Sequence, residues 1–505
     1  MNYEVIIVGG GPVGMLLAAE LALAEVNVCV LERLKETTPY SRALTLHPRS
    51  LEILDMRGLK PKLLETGKPI STGHFAALDT RLNFSKLDSS SNYTVFIPQH
   101  DTEKVLEDWA RELGVGIHRE TEVKSISQDE HGVEVTAVGP EGKLVLTADY
   151  LVGADGAGSI VRKHAGIPFV GTSETITAIL GDVVLTELSE PSIFSQFNEQ
   201  GQIMVVPLKN GLHRIVAMDP ERVHVPKSEP VTLEELRSAM VRMLGSDLGI
   251  SDPYWLSRYG NATRQAERYR EGRIFLAGDA AHIHFSAGGQ GLNVGLQEAM
   301  NLGWKLAAEL KGRAPEWLLN SYQSERFPIN TALLRNTEVQ TFLMGSAFTS
   351  DMLNMRCMLS DLLLVPEANY KLASQISAFN IQYASAEDDL PHELNGRRLP
   401  ELKLSSADGA LRNTNAYELF RTGSYVLLHF AEDDRIRDVV EAAGAKCIRL
   451  VCASLELEAP DWSDVHTVLV RPDGYVAWAV SRSESNPMNV IATGISRWCI
   501  HPSIR

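Results

Sequence analysis

The sequence predicts an α/β fold in which a parallel-sheet unit is interrupted by an antiparallel layer and followed by a separate C-terminal unit. Residues 3–33 read as strand, glycine turn, helix and strand, because their first apolar run, residues 5–8, is typical of a strand covered on both faces. Between residues 175 and 260 the pattern changes to short alternating strands such as "GQIMVVPL" and "LHRIVAM". The segment 385–401, "SAEDDLPHELNGRRLPE", has the turn residues and charge of a domain boundary.

The remaining elements follow from periodicity and turn residues. The apolar residues of "QHDTEKVLEDWARELG" share one face, which predicts an amphipathic helix with Asp101 or Thr102 as its N-cap. The other predicted elements are, in order, a helix at 48–57, strands "GVEVTAV" and "KLVLTADYLVGAD", a helix near 232–244, a strand "RIFLAGD", a helix from about 292 to 310, mostly helical residues 316–380, strands "YVLLHF", "KCIRLVCA", "VHTVLVRP" and "YVAWAV", a helix near 435–443, and a hairpin at Pro472-Asp473-Gly474.

Length and charge limit the classes of function that the chain can have. At 505 residues it is long enough for about three domains. Its 44% hydrophobic and 22% charged residues are typical of a globular protein. The 48 lysines and arginines are outnumbered by 64 acidic residues, which gives a formal net charge of -16. A surface with this charge repels nucleic acid and anionic lipid, so we expect neither as a partner.

Cysteines and apolar runs indicate the compartment. The five cysteines form no CxxC motif and no metal-ligand spacing, which fits a reducing cytosol. The first strand begins almost at Met1 without a basic leader, and the longest apolar stretch, residues 15–23, is too short to cross a bilayer. We therefore expect a cytoplasmic protein without a signal peptide or membrane segment.

The motif Gly9-x-Gly11-x-x-Gly14 follows the first strand and opens the first helix. In such a turn Gly9 allows the bend, Gly11 lets the backbone approach a pyrophosphate, and Gly14 lets helix and strand pack closely. Glu32 ends the second strand, where its carboxylate can accept hydrogen bonds from ribose hydroxyls. Its charge would repel a 2′-phosphate, so the motif predicts a site for FAD or NAD and not for NADP.

A second segment, residues 150–162, ends a buried strand at Asp155 and Gly156 and starts a helix that carries Ser159 and Arg162. From the residues alone two interpretations stay open. The pair is either an Asp-Gly turn that caps a helix, which is common, or a cofactor contact.

A third segment, "GDAAHIHFSAGGQGLN" at residues 278–293, follows the strand "RIFLAG" and precedes a long helix. At the end of that strand, Asp279 can bind a ribityl hydroxyl. The glycine-rich residues 288–293 form a loop whose backbone N–H groups can face a flat ring, and the dipole of the next helix would stabilise negative charge on a reduced flavin. The three segments together predict one long dinucleotide cofactor.

These segments, with "RALTLHPRSLEIL", "IPQHDTEKVLEDWA", "GLNVGLQEAMNLGWKLA" and "LVRPDGYVAW", resemble the class A flavoprotein monooxygenases, which have the para-hydroxybenzoate hydroxylase fold. The similarity covers nearly the whole chain and extends to aromatic and polyketide hydroxylases with a C-terminal thioredoxin-like domain. It implies an α/β fold with a Rossmann-like FAD-binding domain, an inserted antiparallel β-sheet substrate domain and a thioredoxin-like C-terminal domain.

The resemblance also implies domain boundaries. We expect residues 1–72, 98–180 and 262–315 for the discontinuous FAD-binding domain, 73–97 and 181–261 for the substrate-binding β domain, 316–384 for a helical connection, and 385–505 for the thioredoxin-like domain. In that last domain Cys447 and Cys452 lie on opposite faces of one strand, so we expect a structural or oligomeric role and not a redox role.

The family positions imply cofactor contacts and assign no catalytic residue. These contacts are Gly9, Gly11, Pro12, Val13, Gly14, Glu32 and Arg33 on the ADP half of FAD; Arg42 and Gln99 near the pyrophosphate and flavin; Val123 on adenine through its backbone; Asp155 and Gly156 in a motif implicated in FAD and NADPH binding; and Gly278, Asp279, Gly291, Leu292 and Asn293 along the ribityl chain and isoalloxazine.

The resemblance implies FAD bound non-covalently, NAD(P)H as a transient electron donor and O2 as co-substrate. In the family a flavin C4a-hydroperoxide hydroxylates a phenolic or polycyclic, polyketide-like aromatic compound. Two alternatives stay open: antibiotic inactivation or Baeyer–Villiger insertion by the same fold, and a FAD reductase or binding protein without oxygen chemistry. His282 and His284 have no third ligand nearby in the sequence, so no metal is expected. The predicted partner is a small aromatic molecule, and a homodimer stays open.

The chain departs from the family after "AAHIH", where two prolines usually follow and Phe285 and Ser286 stand here. The change restores two backbone donors and adds a ring able to stack on an aromatic substrate. It is either neutral drift in a loop or an adaptation to a large, flat substrate. Together with Ala287, Gly288 and Met204, these residues are the candidate substrate contacts.

Overall fold

The computed structural model describes residues 2–188, 193–345, 347–384, 391–431, 433–445, 447–456 and 460–499. The first part of the predicted domain boundary, residues 385–390, lies outside the described residues.

The helices account for most of the residues that cover the sheets. In chain order they are α1 (Pro12–Leu23), α2 (Pro48–Met56), α3 (Lys60–Leu64), α4 (Gln99–Glu112), α5 (Ile160–His164), α6 (Leu233–Leu244), α7 (Gln290–Leu310), α8 (Ser321–Gly345), α9 (Ser350–Leu362), α10 (Pro366–Ile376), α11 (Arg435–Ala442) and α12 (Pro487–Trp498).

An eight-stranded mixed sheet forms the core of the N-terminal part, as the βαβ pattern predicted. Its strands are Asn2–Val8, Val28–Leu31, Gly116–His118, Glu122–Gln128, Val133–Gly139, Gly142–Gly153, Arg270–Glu271 and Ile274–Leu276. Residues 5–8 are buried on both faces, and α1 packs against α4 and α7 on one of them.

Parallel pairing in this sheet decides where a site can form. Asn2–Val8 pairs in parallel with Val28–Leu31 on one side and with Gly142–Gly153 on the other. Gly142–Gly153 pairs in parallel with Ile274–Leu276. Parallel strands end at the same edge of a sheet, and ligands of α/β proteins bind at that edge. The three glycine-containing segments found in the sequence therefore begin side by side.

The change of pattern after residue 175 corresponds to a five-stranded antiparallel sheet. Its strands are, in spatial order, Phe194–Asn198, Gly201–Pro207, Leu212–Met218, Thr177–Leu185 and Ile250–Gly260. Helix α6 packs on this sheet through Leu236, Ala239 and Met240, which lie three and four residues apart on one helix face.

The C-terminal part contains a four-stranded mixed sheet with helices on it. In spatial order its strands are Ile448–Cys452, Tyr425–His429, Val465–Val470 and Val476–Ser481. The predicted hairpin joins the last two of these. Helix α12 was not predicted, although Ile491, Ile495 and Trp498 give it an apolar stripe at helical spacing.

Short strands complete the molecule in four smaller sheets. They are Thr45–Leu46, Lys68–Ile70 and Thr94–Phe96; Thr72–Gly73 and Leu82–Asn83; Phe169–Thr172, Thr263–Ala266 and His282–Ile283; and Lys403–Ser405, Thr414–Asn415 and Ser454–Leu455.

The predicted N-cap of α4 is wrong. The helix begins at Gln99, because the Pro98 carbonyl already accepts the backbone N–H groups of Asp101 and Thr102 at 3.0 and 3.4 Å. The Asp101 carboxylate accepts from Lys209 Nζ at 2.7 Å instead of capping the helix.

A buried arginine of the N-terminal part binds backbone carbonyls of the C-terminal part, one of them in the hairpin turn. Arg57 donates to both carboxylate oxygens of Glu20 at 2.7 Å, and also to the carbonyls of Phe420 and Pro472 at 2.7 and 2.9 Å. Separating the two parts would leave the buried Arg57 guanidinium without two of its acceptors. Because an unpartnered buried charge raises the free energy of the protein, these contacts hold the two parts together.

A helix long and apolar enough to span a bilayer does not occur among the residues that the structure describes.

Candidate functional site

The first glycine loop is shaped by close backbone contacts at the common edge of the sheet. Gly9 has φ +107°, and a Cβ there would collide with the Ala154 carbonyl. A Cβ on Gly14 would collide with the Gly9 carbonyl. Around Gly11 the opposite holds, because a Cβ would meet no atom within 4 Å. The loop therefore packs tightly on its inner side and leaves free space in front of the N-terminus of α1, where an anion is favoured.

The Glu32 carboxylate is fixed before any ligand arrives. One of its oxygens accepts from the Gly10 N–H and the other from the Leu34 N–H, both at 2.7 Å. Each carboxylate oxygen keeps a lone pair, so the group can still accept from ribose hydroxyls, as predicted.

Asp155 caps a helix, which is the first of the two interpretations that the sequence left open. Its Oδ2 accepts from the N–H groups of Ile160 and Val161 at 2.7 and 3.2 Å, so it caps α5. Its Oδ1 is buried and has no hydrogen-bond partner among the described residues. Burial raises the pKa of this carboxyl. An unpaired buried carboxylate oxygen beside the glycine loop is suited to a ligand hydroxyl.

Arg162 connects the second segment to the third, a role that the sequence did not reveal. Its Nη1 donates to the Ala280 carbonyl at 2.8 Å and its Nη2 to the Ala157 carbonyl at 2.9 Å. The guanidinium also lies 3.8 Å from the ring centroid of Phe169. The loops that carry Asp155 and Asp279 are therefore held at a fixed separation.

Asp279 is exposed between two buried neighbours, Gly278 and Ala280. The surrounding protein displaces water and raises the pKa of the Asp279 carboxyl, while His282 and Arg42 oppose that rise. Gly278 has φ +61°, and a Cβ on it would lie 3.2 Å from Val13, so the strand end is pressed against the first loop. Asp279 is thus an exposed carboxylate on a turn whose first residue packs against the first glycine loop.

Glu298 on α7 supports the Asp279 turn from beneath, and the sequence analysis missed it. Its Oε2 accepts from the Gly278 N–H at 2.7 Å and its Oε1 from His282 Nε2 at 2.8 Å. Burial raises the pKa of Glu298, but His282 and Arg326 outweigh it, so the pKa lies below its ordinary value. Glu298 is an acidic residue on the buried face of a long helix, and this position was the signal in the sequence that could have identified it.

The third segment differs in one respect from the prediction. Helix α7 begins at Gln290, so Gly291, Leu292 and Asn293 lie in its first turn and not in a loop. The loop consists of Gly288 and Gly289, with φ of +69° and +64°. These two left-handed residues turn the chain so sharply that the helix can start earlier than the glycine pattern suggested.

The Asn293 side chain is fully used in holding neighbouring loops. Its Oδ1 accepts from the His47 N–H at 2.7 Å, and its Nδ2 donates to the carbonyls of Thr45 and Gly289 at 3.0 and 2.8 Å. It therefore fixes the entrance of α7, whose free N–H groups favour an electron-rich ring.

The remaining predicted cofactor contacts surround the same edge. Arg33 and Arg42 are exposed, and the Arg42 carbonyl accepts from Arg214 Nη1 at 3.1 Å. Gln99 Oε1 accepts from the Ala43 N–H at 3.2 Å. Pro12, the first residue of α1, and Val123, in the strand Glu122–Gln128, are both buried. Their contacts with FAD, like those of the other site residues, stay predictions.

The candidate substrate residues are arranged differently from the expectation. Phe285 is buried and stacks on Tyr259, with ring centroids 5.2 Å apart and an interplanar angle of 25°. One face of its ring is thus taken by Tyr259, while Ser286 is exposed and Ala287 buried. Met204 lies half-buried in the strand Gly201–Pro207. The two rings pack on each other, and their contact with a substrate stays a prediction.

The residues at the sheet edge fit FAD. Gly11 opens on free space at a helix N-terminus, Asp155 carries an unpaired buried oxygen, and Asp279 is presented beyond them. These features suit a pyrophosphate, ligand hydroxyls and a ribityl chain, respectively.

Comparison with known proteins gives matches along the whole chain. A family model described as "FAD binding domain" matches residues 2–337, and one described as "Aromatic-ring hydroxylase, C-terminal" matches residues 392–502. An uncharacterized aromatic compound monooxygenase, YhjG, of Bacillus subtilis is 50% identical and covers 99% of this chain and 98% of its own length.

Two comparisons come from Streptomyces rimosus. The 12-dehydrotetracycline 5-monooxygenase/anhydrotetracycline 6-monooxygenase is 40% identical over 95% of this chain and 96% of its own. The solved structure of OxyS anhydrotetracycline hydroxylase superposes with a TM-score of 0.90 at 38% identity, covering 99% of each chain.

Proposed function

Since this chain belongs to the aromatic-ring hydroxylase family of FAD-dependent monooxygenases, we propose that it hydroxylates a phenolic, polycyclic aromatic compound with NAD(P)H as electron donor. That it is an enzyme with FAD as its cofactor agrees with the sequence predictions, as does its fold class. What we propose concerns the substrate and the residues that handle it.

The observation that carries the cofactor assignment to particular residues is the free space at Gly11 before the N-terminus of α1, with Asp279 exposed after the end of a parallel strand of the same sheet. We propose that Glu32 holds the ribose, that the N-terminus of α1 holds the pyrophosphate and that Asp279 holds the ribityl chain. When bound, the flavin accepts electrons from NAD(P)H and activates O2 for transfer to the substrate.

The chain itself orients the substrate and excludes water. We propose that the Phe285–Tyr259 pair forms one wall of the substrate cleft, and that the five-stranded antiparallel sheet forms its floor. Phe285 belongs to a buried apolar cluster with Phe75, Phe84 and Met218, which keeps water from this side of the cleft. A dry cleft protects reactive oxygen species on the flavin from side reactions.

The aromatic wall supports a large, flat substrate. Phe285 is fully buried, so the partly exposed Tyr259 ring that it backs is the face on which a fused ring system would stack. The tetracycline-type names of two relatives describe the same class of molecule, and we propose that class, without a particular member of it, for this chain. The domain boundaries given by the sequence are proposed with it.

An oxygen-uptake assay tests the proposal. Holoenzyme with NADH or NADPH is supplied with a panel of hydroxylated naphthalenes, anthraquinones and naphthacenes, and substrate-dependent oxygen uptake is expected for at least one. Labelled O2 should place one labelled atom on the product as a ring hydroxyl. A labelled ester or lactone oxygen would indicate ring insertion instead, and NAD(P)H oxidation without any product would leave only a reductase.

A further inference from the structure

The turn at Ala76 and Ala77 has a strained backbone. Ala76 and Ala77 have φ of +50° and +49°, a left-handed conformation that side chains with a Cβ rarely adopt. Both residues are buried. Consecutive strained residues persist only where the surroundings hold them, and they are found chiefly at functional sites.

Two polar side chains hold this turn in place. Arg356 donates to the carbonyls of Ala76, Leu343 and Ala77 at 2.9, 2.8 and 2.8 Å. Gln340 Oε1 accepts from the Ala76 N–H at 3.0 Å. In these three hydrogen bonds the buried Arg356 guanidinium has neutral carbonyls as acceptors and no carboxylate. Burying its charge in this way lowers the stability of the folded protein, so the turn is held at the expense of stability.

The turn at Ala76 and Ala77 lies near the loop formed by Gly288 and Gly289. A Cβ placed on Gly288 would lie 3.4 Å from Oε1 of Gln340, the residue that holds Ala76. Phe75, Ala76 and Phe285 belong to one buried apolar cluster. The turn therefore packs in the same buried cluster as Phe285. His47, whose charge acts on His74, lies beside this loop, since a Cβ on Gly289 would be 3.7 Å from His47 Nε2.

His74 begins this turn, and its tautomer is fixed. The Ala77 N–H donates to His74 Nδ1 at 3.2 Å, so Nδ1 is unprotonated and the ring proton lies on Nε2. Burial, with smaller contributions from Arg81 and His47, lowers the pKa of His74 to about 4. At neutral pH His74 is thus a neutral hydrogen-bond donor in a fixed orientation.

We propose that His74 Nε2–H donates a hydrogen bond to an oxygen substituent of the aromatic substrate, so that His74 selects phenols over unsubstituted hydrocarbons. The inference rests on the proposed function and specifies one contact within it. A site that provides a donor rejects an analogue without the acceptor, because the donor would be left unpaired. The strained turn and its two clamping residues keep this donor in position.

Ligand binding to the oxidised holoenzyme, followed through the flavin absorption spectrum, tests the inference. The probes are 2-naphthol and naphthalene, which differ by one hydroxyl. We expect the wild type to bind 2-naphthol about tenfold more tightly. His74→Leu should abolish that preference while naphthalene binding stays unchanged, and His74→Gln, which keeps a donor, should retain much of it. His131→Leu, at an exposed histidine, is the matched control and should behave as wild type.

The outcomes separate this inference from the proposed function. If His74→Leu keeps the full preference for 2-naphthol, the assignment of His74 is wrong while the substrate class stands. If the wild type binds both probes equally, the donor is not used for phenols and the inference fails as well. If the wild type binds no hydroxylated aromatic compound of the panel, the substrate class itself fails. Flavin content and melting temperature of each variant show that a changed preference is not a folding defect.

Discussion

Asp279 shows how a single residue can be predicted from its position and then explained by its surroundings. It lies in the short helical turn Gly278–Ala280 that follows the parallel strand Ile274–Leu276, and it is exposed between buried neighbours. Asp279→Ala should weaken FAD binding by roughly 1.5–3 kcal/mol, the contribution of a hydrogen bond to a charged group. FAD release from diluted holoenzyme, followed by flavin fluorescence, measures this. Asp279→Asn should lie in between, and full FAD occupancy of the alanine variant at high dilution would contradict the assignment.

Glu298 makes a second prediction at the residue scale. In Glu298→Gln the amide has one acceptor oxygen for three donors, the Gly278 N–H, His282 Nε2 and Asn330 Nδ2, so at least one hydrogen bond is lost and an N–H group faces a donor. We expect a loss of about 1–3 kcal/mol in the free energy of unfolding and weaker FAD binding. Urea unfolding of the FAD-free protein measures the first and fluorescence titration the second. Glu309→Gln, nearer the end of α7, should change neither, and an equal effect of both substitutions would count against this role.

The sequence predicted some of these residues and not others for a physical reason. Gly9, Gly14 and Asp279 can be predicted from a few neighbouring residues. A turn without room for a Cβ requires glycine, and an acid directly after an apolar strand indicates a carboxylate at the edge of the sheet. Arg162 and Glu298 act on residues 118 and 20 positions away. Such contacts leave no local pattern, so only the fold reveals them.

At the scale of elements, periodicity predicted the existence of helices better than their ends. Helix α7 starts at Gln290 because two left-handed glycines reverse the chain, and α4 starts at Gln99 because the Pro98 carbonyl accepts two N–H groups. Neither event depends on the apolar face from which the helices were predicted. Caps are decided by a few hydrogen bonds, which the sequence does not specify uniquely.

The packed Phe285–Tyr259 pair gives a prediction about the loop before α7. Phe285→Ala removes a fully buried ring and uncovers Tyr259, which should cost about 3–5 kcal/mol in the free energy of unfolding. Water admitted beside the flavin should also raise the fraction of NAD(P)H oxidised to hydrogen peroxide without product. Denaturant unfolding and a peroxide assay measure the two effects. Phe285→Leu, which keeps most of the volume, should cost less than about 1.5 kcal/mol. Unchanged stability and coupling in the alanine variant would favour neutral drift at this position.

At the scale of the whole molecule, a buried charge cluster joins the C-terminal hairpin turn to the FAD-binding part. Arg471 donates to both carboxylate oxygens of Glu325 at 2.7 and 2.9 Å and to Asp473 at 2.6 Å. Lys305 on α7 donates to Glu325 at 2.8 Å. The Gly288–Gly289 loop precedes the N-terminus of α7, and Lys305 lies near the C-terminus of the same helix. One rigid helix therefore connects this loop to the junction of the two parts.

This junction should make the protein sensitive to acid. Burial alone would raise the pKa of Glu325, but Arg471 and Lys305 outweigh it and hold the pKa at about 2. A carboxyl whose folded-state pKa lies below its unfolded value near 4.3 contributes stability that is complete above that unfolded value and lost as the pH falls toward 2. The loss is on the order of 3 kcal/mol.

Glu325→Gln tests this prediction through its dependence on pH. The variant removes the carboxylate that pairs with Lys305 and one of the two that pair with Arg471, which keeps Asp473, so it should be about 3–5 kcal/mol less stable than the wild type at pH 7. Below about pH 4.3 the unfolded wild type takes up a proton on Glu325 while the folded protein keeps it ionised to about pH 2, so the difference should narrow steadily as the pH falls from about 5 toward 2. Thermal melting of both proteins at matched ionic strength measures it, with Glu338→Gln, an exposed glutamate on the same helix, as the control. A difference of equal size at pH 7 and pH 3 would show that Glu325 holds the junction by shape and not by charge.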